Sequence, residues 1–380
     1  MLQPICSNAP AREASLEKTL HILNGEQYSG LERVVDHLVE AAPGFGYSPH
    51  LGLLMPEVMI GRMKSRYITA YDLQMRGRFD FSVARKVAEL VRKGGFRLIH
   101  SHTVRSAMVA ARVAKLADVP WIHQVHSCAL RESHRVIQNL ANFWTEKVIL
   151  RRADQIISVS DALADYVARH YGVRRDRIVV VRNGVPPSSL AAPGTPAAPV
   201  QTIAVVALFR PRKGLHVLID ALSLLVRDGH KVRLRVVGEF VEATYKAQIA
   251  SQIEQLGLGE AVDLMGFTSD PLQQYADCDL AVLPSLYGEG IPMTMLEAMA
   301  AGRPVVGSDI DGIREVLMDG AGILVPPGNP RALADGISRI LREETLANAL
   351  SVAGRNRQLA KYDDAQMRRA VYSLYDRLTS

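Results

Sequence analysis

The chain has 380 residues, 48% of them hydrophobic, and a formal net charge of +6. This length exceeds that of one ordinary hydrophobic core and predicts two domains. No apolar run approaches the roughly 20 residues that cross a bilayer. The first twenty residues also lack the apolar core of a secretory signal, so we expect a cytoplasmic protein.

The positive charge is concentrated in the first half. Through residue 185 there are 26 Lys and Arg against 17 Asp and Glu, and beyond it there are 19 against 22. A basic surface attracts anionic lipid or an anionic substrate, so we expect peripheral contact with the inner face of the plasma membrane. No nucleic-acid motif accompanies the charge, and nucleic acid is not an expected partner. The basic clusters are Arg62, Lys64, Arg66, Arg76 and Arg78, and Arg131, Arg135, Arg151 and Arg152.

Short β-branched runs alternate with helical patterns, which is typical of α/β domains with parallel sheets covered by helices on both faces. In chain order, the predicted strands are Leu20 to Leu23, Arg97 to His100, Trp121 to Val125, Gln155 to Val159, Ile178 to Val181, Thr202 to Leu208, Val232 to Val237, Ala261 to Leu264, Leu280 to Leu283, Pro304 to Val306 and Gly322 to Val325. A stretch rich in Pro and Ala over 186–199 predicts a stiff linker. We therefore predict an N-terminal domain over 1–185, a C-terminal domain over 200–360, and a terminal helix over 361–380 that packs back on the first domain.

Glycines and histidines follow the predicted strands of the first half. Gly25 and Gly30 come after the first strand and would let the backbone approach a ligand closely. Histidines at strand ends are candidates for acid/base chemistry or sugar binding. The four are His100, His102, His123 and His126. A metal site built from them is an alternative that the absence of neighbouring carboxylates disfavours.

Three cations lie in one loop of the second half, between the strand ending near Leu208 and a helical pattern that begins at Leu215. Arginine and lysine beside a helix start suit a diphosphate. The three are Arg210, Arg212 and Lys213. A solvated basic turn is the alternative interpretation.

Two glutamates, separated by seven residues, flank a strand-to-helix turn. Pro284 and the stretch 288–292 break the apolar run, so Glu289 is predicted in the loop and Glu297 on the helix that follows. A helix N-terminus attracts phosphate, whereas a carboxylate in the same loop suits sugar hydroxyls. The pair predicts a phosphorylated carbohydrate ligand, with a solvated surface pair as the alternative.

The ordered set of motifs resembles the family 4 retaining glycosyltransferases of the GT-B fold, from about Leu20 to about Leu341. In the first half the motifs are Ser29 to Arg33, His102, Val125-His126, Ile157 to Ser160 and Val181 to Val185. In the second half they are Lys213-Gly214, Val237-Gly238, Gly266-Phe267, Glu289 to Glu297, Asp311-Gly312 with Glu315, and Leu324 to Gly328.

The resemblance implies two Rossmann-like, doubly wound domains that face a deep cleft. The second would bind a nucleotide-diphosphate sugar and the first an acceptor. Lys213 and a nearby arginine would hold the diphosphate, which the loop of Gly30 approaches. Glu297 would bind the ribose, while Glu289 and His126 would contact the donor sugar. The donor-binding set is completed by Gly238, Met265, Phe267, Gly290, Ile291 and Met293, and the acceptor-side candidates are His102 and Arg131.

One departure concerns the phosphate-binding arginine. The family usually has Gly-Arg at the end of the strand, and this chain has Ala207-Leu208. Arg210 or Arg212 would replace it, and Arg210 is favoured because it lies nearer the strand end. The resemblance implies neither metal nor cofactor, since cations and helix N–H groups would stabilise the departing diphosphate. Glu289 and His126 are the catalytic candidates.

We therefore expect a retaining, metal-independent hexosyltransferase. It would move a sugar from a nucleotide-diphosphate donor, with UDP favoured over GDP, to a glycan or lipid-linked acceptor in surface polysaccharide or glycolipid synthesis. Same-face attack and a covalent intermediate both remain open as routes. The alternative functions are a GT-B sugar-nucleotide 2-epimerase and a non-catalytic nucleotide-sugar binding subunit, the latter suggested by Leu208.

Overall fold

The computed structural model describes residues 2–8, 15–77, 80, 82–131, 136–188 and 200–380, without the side chains of Arg131 and Val136. The chain divides into two compact units. The first unit comprises Met1–Arg182 and Asp364–Ser380, and the second comprises Asn183–Asp363. Most of the predicted linker, from residue 189 to residue 199, lies outside the described residues.

The first unit contains an eight-stranded sheet. Its strands are β1 (Pro4–Asn8), β2 (Glu17–Leu23), β3 (Tyr47–Leu53), β4 (Ile68–Asp72), β5 (Phe96–Ser101), β6 (Trp121–Val125), β7 (Gln155–Ser158) and β8 (Ile178–Val180). They lie in the order β1-β4-β3-β2-β5-β6-β7-β8. Every neighbouring pair is parallel except β1 and β4, which form an antiparallel edge.

Several α-helices of the first unit begin at capping residues that the sequence supplies. The helices before the second unit are α1 (Gly30–Ala41), α2 (Met59–Arg62), α3 (Ser82–Gly94), α4 (Val104–Ala117), α5 (Val136–Ile149) and α6 (Asp161–Tyr166). Ser29 and Glu32 form a capping box at α1, and the Thr103 side chain accepts a hydrogen bond from the Ser106 N–H at α4. These caps fix where the loops after β2 and β5 turn into helix.

The second unit contains a six-stranded parallel sheet. Its strands are β9 (Gln201–Val206), β10 (Val232–Val237), β11 (Val262–Gly266), β12 (Leu280–Leu283), β13 (Val305–Ser308) and β14 (Ile323–Val325). The order β11-β10-β9-β12-β13-β14 reverses direction between β9 and β12, where such sheets bind ligands. Its helices are α7 (Leu215–Arg227), α8 (Ala243–Gln255), α9 (Pro271–Gln274), α10 (Met293–Ala300), α11 (Asp311–Leu317), α12 (Pro330–Arg342) and α13 (Glu344–Lys361).

The last helix, α14 (Asp364–Thr379), belongs to the first unit. Its apolar face, with Met367, Val371 and Leu374, is buried. The Tyr372 hydroxyl donates to the carbonyl of Leu38 over 2.7 Å. The chain therefore returns to the first unit after completing the second.

The predicted α/β fold class, with two Rossmann-like units, is confirmed, but the first sheet has three strands that the sequence analysis missed. These are β1, β3 and β4. Pro49 and Gly52 interrupt the apolar pattern of β3, although every residue of this strand is buried. None of the described helices has the length and apolarity required to cross a membrane.

Candidate functional site

Two loops at the carboxyl ends of β9 and β12 form the centre of the candidate donor site. The two strands are parallel neighbours, so their loops emerge at the same edge of the sheet. Gly214 ends the turn Pro211–Lys213 with a φ of 69°, and a Cβ at this position would lie 2.0 Å from the carbonyl oxygen of Pro284. Only glycine permits this approach. The Leu286 N–H also donates to the Arg212 carbonyl over 2.8 Å.

Glu289 is the side chain around which this loop pair is organised. Its Oε1 accepts from Lys213 Nζ at 2.5 Å and from Ser285 Oγ at 2.7 Å, and it lies 3.4 Å from Arg212 Nη1. All three of these contacts fall on Oε1, so Oε2 is the oxygen that would accept from a ligand hydroxyl.

The charges in this cluster are largely removed from solvent. The side chains of Glu289 and Lys213 are 7% and 16% exposed, which excludes both a solvated basic turn and a solvated surface glutamate. Burial raises the pKa of Glu289, but Lys213, Arg212 and the two hydrogen bonds lower it further, so its net pKa lies below the ordinary value. Burial lowers the pKa of Lys213, and the carboxylate of Glu289 opposes that shift.

Glu297 lies on α10, the helix that begins directly after this loop, and its side chain is buried. The backbone of the loop before α10 is held in place by a side chain, because Asn183 Nδ2 donates to the Ile291 carbonyl over 2.9 Å. A Cβ on Gly312 would lie 1.6 Å from the carbonyl oxygen of Gly290. The side chains of Ile291 and Met293 are buried, so only their backbone groups can face a donor.

The two arginines proposed to replace the missing family arginine have different surroundings. Arg212 Nη1 donates to the carbonyl of Gly288 over 3.1 Å, in addition to its contact with Glu289. Arg212 Nη1 therefore holds the loop, while its buried Nε has no hydrogen-bond partner in the described part of the chain. Arg210 lies close enough to Lys213 to lower the pKa of that amine. Both arginines stay candidates for the phosphate contact, and the position of Arg210 near the strand end still favours it.

The carboxyl ends of β10 and β11 position three members of the predicted donor-binding set, Gly238, Met265 and Phe267. Gly238 has a φ of 132°, and a Cβ on it would lie 1.8 Å from the carbonyl oxygen of Ala207. Its N–H donates to the Gly266 carbonyl over 2.7 Å. Met265, on the edge strand β11, is 55% exposed, and Phe267, directly after that strand, is 38% exposed. These side chains offer apolar surface to a planar base.

In the first unit, Gly30 is the first residue of α1. Ser29 donates to Glu32 Oε2 through both its N–H (2.9 Å) and its hydroxyl (2.8 Å), which fixes the helix start. Gly25, with a φ of 92°, lies against the Met55 carbonyl, from which a Cβ would be 3.2 Å. Arg131 ends a short 3₁₀ turn, and its side chain lies outside the described part of the chain.

His126 is connected to a buried series of hydrogen bonds. Its Nε2 lies 3.3 Å from His102 Nδ1, and His102 Nε2 lies 3.1 Å from His21 Nδ1. His21 Nε2 then lies 3.2 Å from the Tyr375 hydroxyl. Burial lowers the pKa of His126 to about 3 and that of His102 well below its usual value, so these imidazoles are neutral.

His102 requires a correction as an acceptor-side candidate. It is buried, and both its ring nitrogens contact other histidines, so it supports His126 and presents no nitrogen to an acceptor. His21 and Tyr375 were not predicted as site residues, because they lie inside an apolar strand and a terminal helix. His123 bonds Ser101 Oγ at 2.8 Å. Ser101 shares its β-strand face with His123, which is opposite to the face of His100.

Within the second unit, the structure brings together Lys213, Arg212 and Glu289, which the sequence analysis selected, and adds Ser285. This combination of cations, a carboxylate and glycine-dependent backbone contacts can bind an anion beside a polyhydroxylated group. His126 and Gly30 belong to the first unit.

Two family models match the chain. The model described as Glycosyltransferase Family 4 matches residues 28–189, and the model described as Glycosyl transferases group 1 matches residues 196–357. Together they cover most of the sequence, with one model on each half.

Curated relatives extend the similarity to nearly full length. Phosphatidyl-myo-inositol mannosyltransferase of Mycobacterium leprae is 29% identical over 335 residues, which cover 87% of this chain and 86% of the relative. The putative colanic acid biosynthesis glycosyltransferase WcaL of Escherichia coli is 34% identical over 210 residues, covering 52% of this chain and 50% of the relative.

Solved structures share the fold. HepE of Anabaena, in complex with UDP and glucose, superposes with a TM-score of 0.83 at 21% identity, covering 95% of this chain and 100% of that one. Sucrose-phosphate synthase of Thermosynechococcus elongatus gives a TM-score of 0.80 at 23% identity, with coverages of 95% and 99%. The motifs, the two Rossmann-like units and the paired family models lead to one conclusion: the chain belongs to the family 4 glycosyltransferases of the GT-B fold.

Proposed function

We propose that this protein is a retaining glycosyltransferase that moves a sugar from a UDP-sugar to a lipid-linked or glycan acceptor, without a divalent cation at the diphosphate. The observation that carries the proposal is the cluster of Lys213, Arg212 and Glu289, together with the adjacent Arg210, at the carboxyl end of β9. Its cations match a diphosphate, and its carboxylate matches a sugar.

The cations supply the charge stabilisation that a metal gives in other transferases. When the bond between the anomeric carbon and the phosphate oxygen breaks, negative charge develops on the diphosphate. Lys213 and Arg210 stabilise that charge more effectively in a partly dry site than in water. The N-terminus of α10 adds backbone N–H groups of the kind that bind anions.

Glu289 acts as an ionised residue that orients the sugar. With three donors on Oε1 and a lowered pKa, it is a weak base and a weak nucleophile, while Oε2 can accept from a sugar hydroxyl. This favours attack on the face from which the diphosphate leaves. The acceptor oxygen forms the new bond to the anomeric carbon, and a phosphate oxygen of the leaving group takes the acceptor proton.

The nucleoside would lie toward β11 and α10. Buried Glu297 binds the ribose, and the exposed surface of Met265 and Phe267 receives the base. UDP is chosen over GDP because it is the commoner donor nucleotide of the family, and because HepE was solved with UDP and with UDP-glucose.

A glycolipid or polysaccharide acceptor is supported by the names of the relatives, a phosphatidyl-myo-inositol mannosyltransferase and a colanic acid biosynthesis glycosyltransferase. His126 keeps the sugar-binding role, and Arg131 the acceptor-side role, that the family resemblance implies. We assign the acceptor to the membrane surface because helix α5 has exposed apolar side chains along one face.

The apolar face of α5 supports peripheral membrane contact. Its four exposed large hydrophobic residues follow helical spacing, and Ile137 is 87% exposed. They are Ile137, Leu140, Trp144 and Val148. Lys147 lies 5.0 Å from the Trp144 ring centroid, and Arg151 and Arg152 follow the helix as exposed cations. An apolar face edged by cations and a tryptophan fits an anionic lipid surface.

The test is transfer by the purified full chain. UDP- and GDP-sugars are offered with anionic vesicles that carry lipid-linked acceptors, without added Mg²⁺ or Mn²⁺, and the product linkage is determined by NMR. The proposal expects release of UDP coupled to a product with the donor's anomeric configuration. Lys213→Ala should lower the rate at least 100-fold, whereas the exposed Lys246→Ala should leave it unchanged.

Three results would contradict this proposal: an inverted product, a requirement for Mg²⁺, or epimerised nucleotide sugar formed without acceptor. Binding of the donor without any turnover across the acceptor panel would favour the non-catalytic subunit. A covalent sugar adduct on Glu289 would contradict same-face attack and show that the reaction passes through a covalent intermediate.

A further inference from the structure

Three histidines of the first unit meet on one face of its sheet. His21 of β2 is paired in register with His100 of β5, and paired residues of neighbouring strands point to the same face. His102 is two residues beyond His100 and returns to that face. All three side chains are buried, with His21 and His100 fully inaccessible to solvent.

Their ring nitrogens converge. One nitrogen from each imidazole lies within 4.8 Å of the others, and His21 Nδ1 is 3.1 Å from His102 Nε2. In the described part of the chain, His100 Nε2 is buried without a hydrogen-bond partner. A buried nitrogen left unpaired is costly and is commonly explained by an ion or water that satisfies it.

The opposite nitrogens of the three rings are all bonded outward. The Tyr375 hydroxyl lies 2.7 Å from His100 Nδ1 and 3.2 Å from His21 Nε2, and His126 Nε2 lies 3.3 Å from His102 Nδ1. A tyrosine oxygen can accept from both imidazoles when each carries its proton on that outer nitrogen. The inner nitrogen of each ring then presents a lone pair.

We propose that His21, His100 and His102 form a zinc site through His21 Nδ1, His100 Nε2 and His102 Nε2. Three neutral imidazoles are a known zinc ligand set, with Zn–N distances of about 2.0–2.1 Å. Ligand nitrogens in tetrahedral zinc sites are separated by about 3.3 Å, close to the separation of the His21 and His102 nitrogens. Tyr375 and His126 serve as the outer hydrogen-bond partners that orient metal-binding histidines, the role usually taken by carboxylates.

This zinc stabilises the first unit, with a water or hydroxide completing the tetrahedron beside the three histidines. It joins β2 and β5 directly, and Tyr375 couples the site to α14, the last helix of the chain. The ion also fixes His126 as the tautomer protonated on Nδ1, because His126 Nε2 must accept from His102. The site lies within the first unit and is independent of the diphosphate site in the second.

The test measures metal in the full-length protein, purified without chelators or metal-affinity resins. Elemental analysis should find about one zinc per chain, and replacement by Co²⁺ should give the visible absorption of a tetrahedral cobalt centre. His100→Gln should remove both signals. His50→Gln should keep them, because His50 is buried in the same sheet on the opposite face.

Tyr375→Phe provides a second test that retains all three ligands. Loss of the outer hydrogen bonds to two ligands should lower the zinc affinity by about 10–100-fold. If His100→Gln fails to fold, wild-type protein stripped by a chelator is titrated with Zn²⁺, and its Tm should rise with zinc but not with Mg²⁺.

The proposal is overturned if the purified chain lacks bound metal and added Zn²⁺ leaves its Tm unchanged. It is equally overturned if His100→Gln and His50→Gln retain the same amount of zinc. Copper or nickel at the same stoichiometry, lost in His100→Gln, would overturn the choice of zinc. Each of these three outcomes can occur while UDP binding to the second unit persists, so they are distinguishable from a failure of the proposed function.

Discussion

Glu289 neutralises part of the positive charge of the candidate donor site. It is the only described acidic side chain that contacts both Lys213 and Arg212, and without it two largely buried cations would have no carboxylate partner. Breaking a buried ion pair by removing one partner is strongly destabilising, because the remaining charge stays in a poorly solvated place. Glu289 therefore contributes to stability as well as to the proposed sugar contact.

We predict that Glu289→Gln lowers the free energy of unfolding at pH 7 by about 3 kcal/mol. The folded-state pKa of Glu289 is lowered below its ordinary value of 4.5, so its contribution is fully present above that value and is lost as pH falls through the folded pKa. The difference between wild type and variant should therefore shrink below about pH 4.5. Urea unfolding across pH measures it.

The matched control for this prediction is the double variant Lys213→Met with Glu289→Gln. Removing Lys213, which lacks its carboxylate partner in the single variant, should recover part of the lost stability. A hydrophobic replacement of a buried ion pair is often nearly neutral. A stability difference that stays constant from pH 7 to pH 3 would contradict the ion-pair account.

Phe267 tests the proposed position of the base. Stacking of a base on an aromatic side chain contributes about 1–3 kcal/mol, so Phe267→Ala should weaken UDP binding by about tenfold or more. Calorimetric titration measures the affinity, with Val352→Ala, exposed on α13, as the control. Equal UDP affinities in the two variants would contradict the proposed position of the base beside β11.

Individual residues differed in how far the sequence could identify them. Lys213 and Glu289 were found because they lie in loops between strong strand and helix signals. Ser285 and His21 were missed, since one hydroxyl in a loop and one imidazole in an apolar strand carry no local signal. Their roles arise from which strands become neighbours, a property that depends on long-range pairing.

At the scale of elements, α5 combines a helical sequence with an apolar face that the described fold leaves exposed. Trp144 is 55% exposed, and Ile137 is seven residues earlier on the same face. Exposed apolar surface rimmed by cations is typical of an interaction site. The basic clusters were evident from sequence, but the apolar face was not, because spacing alone does not tell whether a helix face is buried.

We predict that the pair Ile137→Ser and Trp144→Ser lowers binding to anionic vesicles by at least tenfold, since each side chain would bury apolar area in the lipid interface. The free energy of unfolding should change by less than about 0.5 kcal/mol per substitution. Vesicle flotation at low salt measures the binding. The control pair is Val226→Ser and Val352→Ser, exposed apolar residues of the second unit. Equal flotation of both pairs, or none for wild type, would rule out this surface.

Some strands were predicted from the sequence with correct bounds, and others were missed. Trp121–Val125, Val232–Val237 and Leu280–Leu283 were predicted with the bounds that the structure has. Strand β3 was missed because proline, glycine and a histidine break its pattern, and β1 and β4 were missed because neither contains a continuous apolar run. Burial of β3 between two neighbouring strands outweighs its poor local propensity.

At the scale of the whole molecule, the alternation of strands and helices was enough to predict two Rossmann-like units. The chain completes the second unit at Asp363 and then adds α14 to the first. This division separates the roles: the second unit contains the proposed diphosphate and nucleoside contacts, and the first contains the histidine cluster and the apolar face of α5.

The central claim is that the second unit binds a nucleotide diphosphate through Lys213 and Glu297. Its most direct test is calorimetric titration of the full chain with UDP, GDP and ADP, with Lys213→Ala and Glu297→Ala as variants and Lys246→Ala as control. We predict that UDP binds most tightly, that both site variants weaken it at least tenfold, and that the control does not. The claim would be contradicted if wild type binds none of the three nucleotides, or if it binds UDP with an affinity that both site variants retain.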